Sequence, residues 1–197
     1  MLFYFNGAQT DLLANMADIP PQRILLSGLT SLIAAWLYTL GAGQVYYAFQ
    51  PARRRLRLAI FLSFAAIMIA YGIVHSAYIA IAVSAQHARV FDADIKSAAQ
   101  LAIAANQTLR TATYIPFGIF SILFAIVVWK KQSHYPHWIL LFHPLIPFLL
   151  NDFIISRLHG SIKTIVGGGY LNLILLLFFT ASTVALGMNR PLSTTHP

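Results

Sequence analysis

LAIFLSFAAIMIAYGIVHSAYIAIAVS, residues Leu58 to Ser84, contains no Lys, Arg, Asp, Glu or Pro. At a helical rise of about 1.5 Å per residue this run outreaches a hydrocarbon layer of roughly 30 Å. It offers water no polar face, so it reads as a helix that crosses a membrane, long enough to tilt within it. The composition of the whole chain agrees. Its 197 residues are 58% hydrophobic and 9% charged, where a soluble domain carries roughly a quarter charged residues. There is too little charge to coat a soluble surface.

Outward from this run, further crossings are expected at Ile24 to Tyr47, Tyr114 to Trp129, Trp138 to Ile155 and Ile165 to Gly187. The third carries Pro116, where a kink is expected because proline removes a helix hydrogen bond. The fourth is short and holds Pro144 and Pro147, so its backbone ladder must be interrupted and neighbouring groups must satisfy the freed carbonyls. The fifth opens on Gly167-Gly168-Gly169. Residues 86 to 113 are polar but helix-friendly, with Asp92 or Asp94 as caps, and read as a surface helix leading into the third crossing.

The predicted fold is therefore all-α: an integral membrane bundle of about five transmembrane helices. An interfacial segment covers residues 1–22, the bundle residues 23–188, and a polar tail residues 189–197. No cleavable signal peptide is evident, so the first crossing is expected to direct insertion.

Thirteen Lys and Arg against five Asp give a net charge of +8. In a soluble protein that balance would point to nucleic acid. Here the bases sit between apolar stretches, so membrane lipid and topology explain them and no nucleic-acid partner is expected. Arg53, Arg54, Arg55 and Arg57 place the first loop inside, which puts the N-terminus outside and the C-terminus in the cytoplasm. The absence of Cys excludes disulfides, thiolate metal ligands and thiol chemistry. No internal repeat supports an inverted-repeat transporter.

Intramembrane polar groups are expensive and mark candidate sites. Tyr71, His75 and Tyr78 share one helical face, beside a stripe of small residues, Gly72, Ser76, Ala80 and Ser84, that admits a neighbouring helix or a membrane-protein partner. Asn151 and Asp152 at the outer end of the fourth crossing, and Tyr170 and Asn172 in the outer third of the fifth, are expected at the depth of His75. Asn106 and Thr113 would complete an outward-facing pocket. Within it, His75 and Asp152 are the pair suited to exchange protons near neutral pH.

Blander readings compete with this one. His75 also serves as a helix-to-helix hydrogen bond, Asp152 as an interfacial group facing Arg157, and the stripe Gly169, Asn172, Thr180, Thr183 and Gly187 as packing. His134, His137 and His143 lack an accompanying carboxylate or thiolate, so an interfacial role is favoured over a metal site, and none is predicted. The residues name no reaction and no cofactor.

Trp36-Leu37-Tyr38 through Gln44-Val45-Tyr46, Pro51-Ala52, Tyr71-Gly72, His75-Ser76, Gly168-Gly169, Asn172 and Phe178-Phe179 resemble an uncharacterised family of small bacterial polytopic membrane proteins. The resemblance implies a helical architecture and the bacterial inner membrane, and it brings no function. The expected function is binding of a lipid-like or amphipathic small molecule in the outward-facing pocket. The alternatives are a transporter or channel, and a scaffold or assembly subunit of a membrane complex.

Overall fold

The computed structural model describes residues 11–188, and those residues build an all-helical bundle. In chain order the helices are α1 (Leu12–Asp18), α2 (Pro21–Ala48), α3 (Arg54–Ser76), α4 (Tyr78–Val90), α5 (Ile95–Ala112) and α6 (Tyr114–Trp129). A 3-10 helix (His137–Phe142), α7 (Leu145–Leu149), α8 (Asn151–Ser156) and α9 (Gly160–Met188) complete the chain. The leading part of the expected interfacial segment and the polar tail lie outside the described residues.

Four helical stretches among the described residues are long and apolar enough to cross a membrane: Pro21–Ala48, Arg54–Val90, Ile95–Trp129 and Ile165–Met188. Their surfaces carry Leu40, Trp36, Leu62, Ile122 and Leu176, each 60% exposed or more. In water such a shell would drive aggregation; in lipid it is the expected outer surface.

The second and third stretches, 37 and 35 residues long, extend to about 55 and 52 Å, well beyond a hydrocarbon layer of roughly 30 Å. The surplus forms a cap. Past a one-residue interruption at Ala77, α4 continues α3, and an α4–α5 hairpin turns at Asp92, whose φ is 52°. Met16, Ala17, Ile19, Ile24, Ile81, Ala82, Ala85 and Ala99 form the cap's own core, which joins α1 to the hairpin. Gln86 Nε2 donates to the Ile19 carbonyl at 2.6 Å, and Arg89 meets Asp18 at 3.3 Å, so α1 is held down at its end.

The surface helix expected over residues 86–113 is instead the end of α4, the turn at Asp92 and α5, because Asp94 caps a new helix at Ile95. Asp94, the second of the two expected caps, accepts from the Ser97 backbone N–H and hydroxyl at 2.9 and 2.6 Å. Those bonds hold its carboxyl below the ordinary carboxylate range. The interruption between α5 and α6 falls at Thr113, ahead of Pro116. Pro116 sits in the first turn of α6, where its missing N–H has no intrahelical partner to lose.

At the other end, which we term the basic end, the core is aromatic. Phe49, Phe64, Phe120, Phe124 and Phe178 are fully buried. Phe124 touches Phe49, Phe120, Tyr135, His143 and Phe178 with ring centroids 4.8 to 5.9 Å apart. The loop before the 3-10 helix closes this end: the His134 N–H donates to the Ala48 carbonyl at 2.7 Å.

The stretch expected as the fourth crossing is broken into the 3-10 helix, α7 and α8: Pro144 stands at the first break, Pro147 in the first turn of α7, and the second break falls at Leu150. His137 stacks on Trp129 at 5.8 Å, His143 packs on Phe120 at 5.1 Å, and Phe148 meets Phe117 and Tyr114 at 5.5 and 5.9 Å. These contacts follow α6 from its last residue to its first, so the broken segment runs antiparallel to it along its whole length. Gly160, at φ +57°, then reverses the chain into α9. Through Asn172 near Tyr38 and Ser182 near Gln44, α9 runs back toward the basic end.

Candidate functional site

Helices α2 and α3 approach closely because small residues line their contact. A Cβ on Gly72 would fall 2.7 Å from the Ala35 Cβ, and one on Gly28 only 2.2 Å from the Ile79 side chain. Between them Ser31 and Ser76 share a hydrogen bond at 3.2 Å. This crossing fixes the face of α3 that carries Tyr71 and His75, as small-residue interfaces do in membranes.

Four rings then form a row. Tyr78 lies 6.3 Å from His75, His75 stacks on Tyr71 at 4.0 Å, and Tyr71 meets Tyr38 edge-on at 5.9 Å. The His75 Nδ1 is 3.0 Å from the Tyr71 carbonyl in the preceding turn. In that bond Nδ1 carries the proton, which leaves Nε2 as an acceptor. Both phenols donate to one atom, Asn172 Oδ1: Tyr38 at 2.8 Å and Tyr71 at 2.9 Å. The doubly bonded Oδ1 orients the carboxamide, and Asn172 itself is exposed on α9.

Asn106, 4% exposed, donates from Nδ2 to the Val74 carbonyl at 2.8 Å. Val74 lies in the last turn of α3, where carbonyls lack firm intrahelical partners. Asn106 thereby ties α5 to the junction that presents His75 and Tyr78.

A cavity of about 260 Å³ opens at this junction, under α1 and between α4 and α5. Leu12, Leu13, Met16, Ile81 and Ile103 give it apolar walls, while Tyr78, Asn106, Gln107, Arg110 and Asp11 bring polar groups to it. It suits one end of an amphipathic molecule, being slightly below the roughly 300 Å³ at which drug-sized pockets begin.

Of the nine residues singled out from sequence, Tyr71, His75 and Asn172 meet in one network; Tyr78 and Asn106 border both the network and the cavity, while Thr113 bonds back to the Leu109 carbonyl of its own helix at 2.9 Å. Tyr170 stands apart, its hydroxyl donating to the Pro147 carbonyl at 2.7 Å and so tying α9 to the broken segment. Asn151 and Asp152 bond to each other at 2.9 Å. Among the described residues no hydrogen bond or ion pair joins Asp152 to His75, and Arg157 lies over the Phe153 ring at 4.9 Å rather than on Asp152.

Tyr38, the second phenol on Asn172, was not singled out. It lies on α2, and only packing brings it to α3. The same holds for Gln44, whose Nε2 donates to Ser182 at 2.9 Å and Thr183 at 3.1 Å. Ser182 also meets the Tyr135 hydroxyl at 2.5 Å. Burial in that network pushes the Tyr135 phenol up to about 12.

His134 and His137 stack on Tyr47 and Trp129, and His143 is buried on Phe120 and Phe124. No three His, Cys, Asp or Glu side chains converge among the described residues. The His143 Nδ1 accepts the Leu145 N–H at 3.1 Å. That bond puts the ring proton on Nε2, which is buried with no hydrogen-bond partner.

Fold and site together define a small helical membrane protein with a polar network sunk into its apolar body. A family of unknown function, DUF6796, matches residues 3–188, and the chain belongs to it. No curated protein and no solved structure matches the chain.

Proposed function

We propose that this protein binds an amphipathic, lipid-like molecule at the cap end of the bundle, with its polar head among Tyr78, Gln107 and Arg110 and its apolar part against Ile81 and Ile103. The observation that carries the reading is the 260 Å³ cavity, mainly apolar with polar groups at one side, at the end of the row Tyr78, His75, Tyr71. Such a site selects a molecule with one wet end and one greasy end. His75, one ring behind Tyr78, acts as the group that holds Tyr78 in place.

The test is extraction of co-purified lipid from detergent-solubilised protein, identified by mass spectrometry. Ile103→Trp fills the cavity, and it is expected to remove the bound molecule while leaving the melting temperature within a few degrees. An unchanged lipid content in a folded Ile103→Trp protein would end this reading. His75→Ala is expected to weaken retention, whereas Asp152→Asn is not.

The reading includes five crossings, with the broken segment as the fourth, the N-terminus outside and the C-terminus in the cytoplasm of a bacterial inner membrane. Contacts of that segment along the full length of α6 support the count, and the arginines at the basic end support the orientation. Because the chain has no Cys, single cysteines at Ser97, Lys131 and His159 can report sidedness by labelling. Five crossings put Ser97 and His159 on one face and Lys131 on the other. Labelling of His159 together with Lys131 would remove the extra crossing.

A second reading, a scaffold or assembly subunit, is favoured by α9. Among the described residues nothing lies within 4 Å of where a Cβ on Gly169 or Gly187 would stand, and Thr180 on the same face is exposed. Recovery of a stable heteromer in mild detergent would favour it.

A further inference from the structure

The two ends of the bundle carry charge differently. Asp11 and Asp18 flank α1, Asp92 and Asp94 lie in the α4–α5 turn, and Asp152 opens α8; the basic end has no acid among its described residues. It carries Arg53, Arg54, Arg55 and Arg57 before and within the first turn of α3, and Lys130 and Lys131 after α6. The two connections are neighbours, since the His134 N–H reaches the Ala48 carbonyl at 2.7 Å. Arg53, Arg54, Arg55, Lys130 and Lys131 are all exposed.

The arginines also stand at the unfavourable end of their helix. The N-terminus of α3 has no side-chain cap and no acidic residue in its first turn. Helix N-termini carry positive partial charge and favour anions. Placing arginines there adds like charge to like, and nothing described in this chain offsets it. Arg57 lies over Tyr46 with its guanidinium carbon 4.5 Å from the ring centroid, and its Nε is inaccessible and has no hydrogen-bond partner. Trp129, next in the chain to Lys130, and Leu62, about two helical turns past Arg55, are 72% and 60% exposed. The surface is therefore cationic at the level of head groups and apolar at the level of acyl chains.

We propose that the basic end binds a membrane phospholipid with an anionic phosphodiester head group, its phosphate oxygens held by Arg53–Arg55, Lys130 and Lys131 and its chains lying beside Trp129 and Leu62. The continuity of charge with the apolar shell selects a lipid over a free phosphate, which has nothing to place on Trp129. Topology asks only that positive residues be retained on one side; it does not ask that they cluster at an uncapped helix start.

The experiment is native mass spectrometry of the full chain in detergent, titrated with phosphatidylglycerol or phosphatidylcholine. Wild type is expected to retain phosphatidylglycerol at least about tenfold better, since each basic residue near an anionic surface contributes on the order of 1 kcal/mol. The triple variant Arg53→Gln/Arg54→Gln/Arg55→Gln should lose that preference. Lys96→Gln/Arg157→Gln/Lys163→Gln, which removes the same charge away from the basic end, should keep it. Lys130→Gln/Lys131→Gln, which leaves the arginine run to direct insertion, should lose part of it and stands as the test if the arginine variant inserts poorly. Equal retention of the two lipids by wild type, equal losses in both triple variants, or full competition by inorganic phosphate would each overturn the proposal.

Discussion

Rings fill most of the basic half of the bundle, beside one hydrogen-bonded cluster of Gln44, Ser182 and Tyr135, whereas small residues and hydrogen bonds shape the cap half. At the basic end Phe49, Phe120, Phe124 and Phe178 are fully buried and pack with ring centroids 5.2 to 5.9 Å apart. At the cap end the helices meet through Gly28, Gly72, Ser31 and Ser76, and Tyr38, Tyr71 and Asn172 hold the space that remains. Aromatic side chains fill volume and leave none over. Small residues bring the backbones of α2 and α3 together, and the cavity opens past that crossing, lined by α1, α4 and α5. The difference teaches where the bundle keeps open space: at the end where small residues make the crossing and polar groups bond across helices.

The comparison is open to breakage from either half. Phe124→Ala is expected to give the largest effect, a loss of about 3–5 kcal/mol for a fully buried ring, read as a fall in melting temperature in detergent. Lipid retention at the cap should survive it wherever folded protein remains. Gly72→Leu is expected to destabilise by about 1–3 kcal/mol, because its Cβ alone would crowd Ala35 and the α2–α3 crossing must open. Unlike Phe124→Ala it should also disturb ligand retention, since Tyr71 and His75 ride on that crossing; normal retention would show the two halves to be less distinct than argued.

Smaller substitutions sharpen the point. Ser182→Ala leaves the Tyr135 hydroxyl and the Gln44 amide each short of a partner, with an expected loss of about 1–3 kcal/mol. Tyr71→Phe removes one of two donors to Asn172, and a loss of about 0.5–1.5 kcal/mol is expected. A Tyr71→Phe effect as large as that of Phe124→Ala would mean that the polar network, not the aromatic core, dominates stability.

The smallest effect concerns acid. The Asp94 carboxyl is depressed by its bonds to Ser97, so its contribution is present above the unfolded carboxylate range and is lost as pH falls through the lower folded value. The protection of the Ser97 amide, its exchange compared with an unstructured chain at the same pH, should therefore fall in wild type as pH drops below the ordinary carboxylate range and be low at every pH in Asp94→Ala. Protection that does not change with pH in wild type would rule out the cap.

Much of this architecture was legible in the residues. The run Leu58 to Ser84 announced a helix that leaves water, because it offers water no polar face; that its last part, from Tyr78, turns into the cap was not visible in it. Tyr114 to Trp129 matched α6 to the residue, since Thr113 and Lys130 flank a run with no charged residue. Pro144 and Pro147 announced a broken segment, because prolines three residues apart cannot both stand inside one regular helix without removing a ladder bond. His75 was recognisable as a polar group on a greasy helix. Tyr38 and Gln44 were not, since nothing along α2 says which of its polar residues will face α9. Asn151 and Asp152 looked equally suited to the pocket, but they form a pair of their own.

By itself, then, the order of the residues determined which segments leave water and which backbone bonds must break, because transfer to lipid and the loss of an N–H are local properties of a side chain. The tertiary structure alone decided that two phenols from different helices share one carboxamide, that α1 roofs a cavity, and that the basic connections meet at one end. Those outcomes depend on how helices cross and rotate against one another, and crossing is set by the fit of many side chains at once.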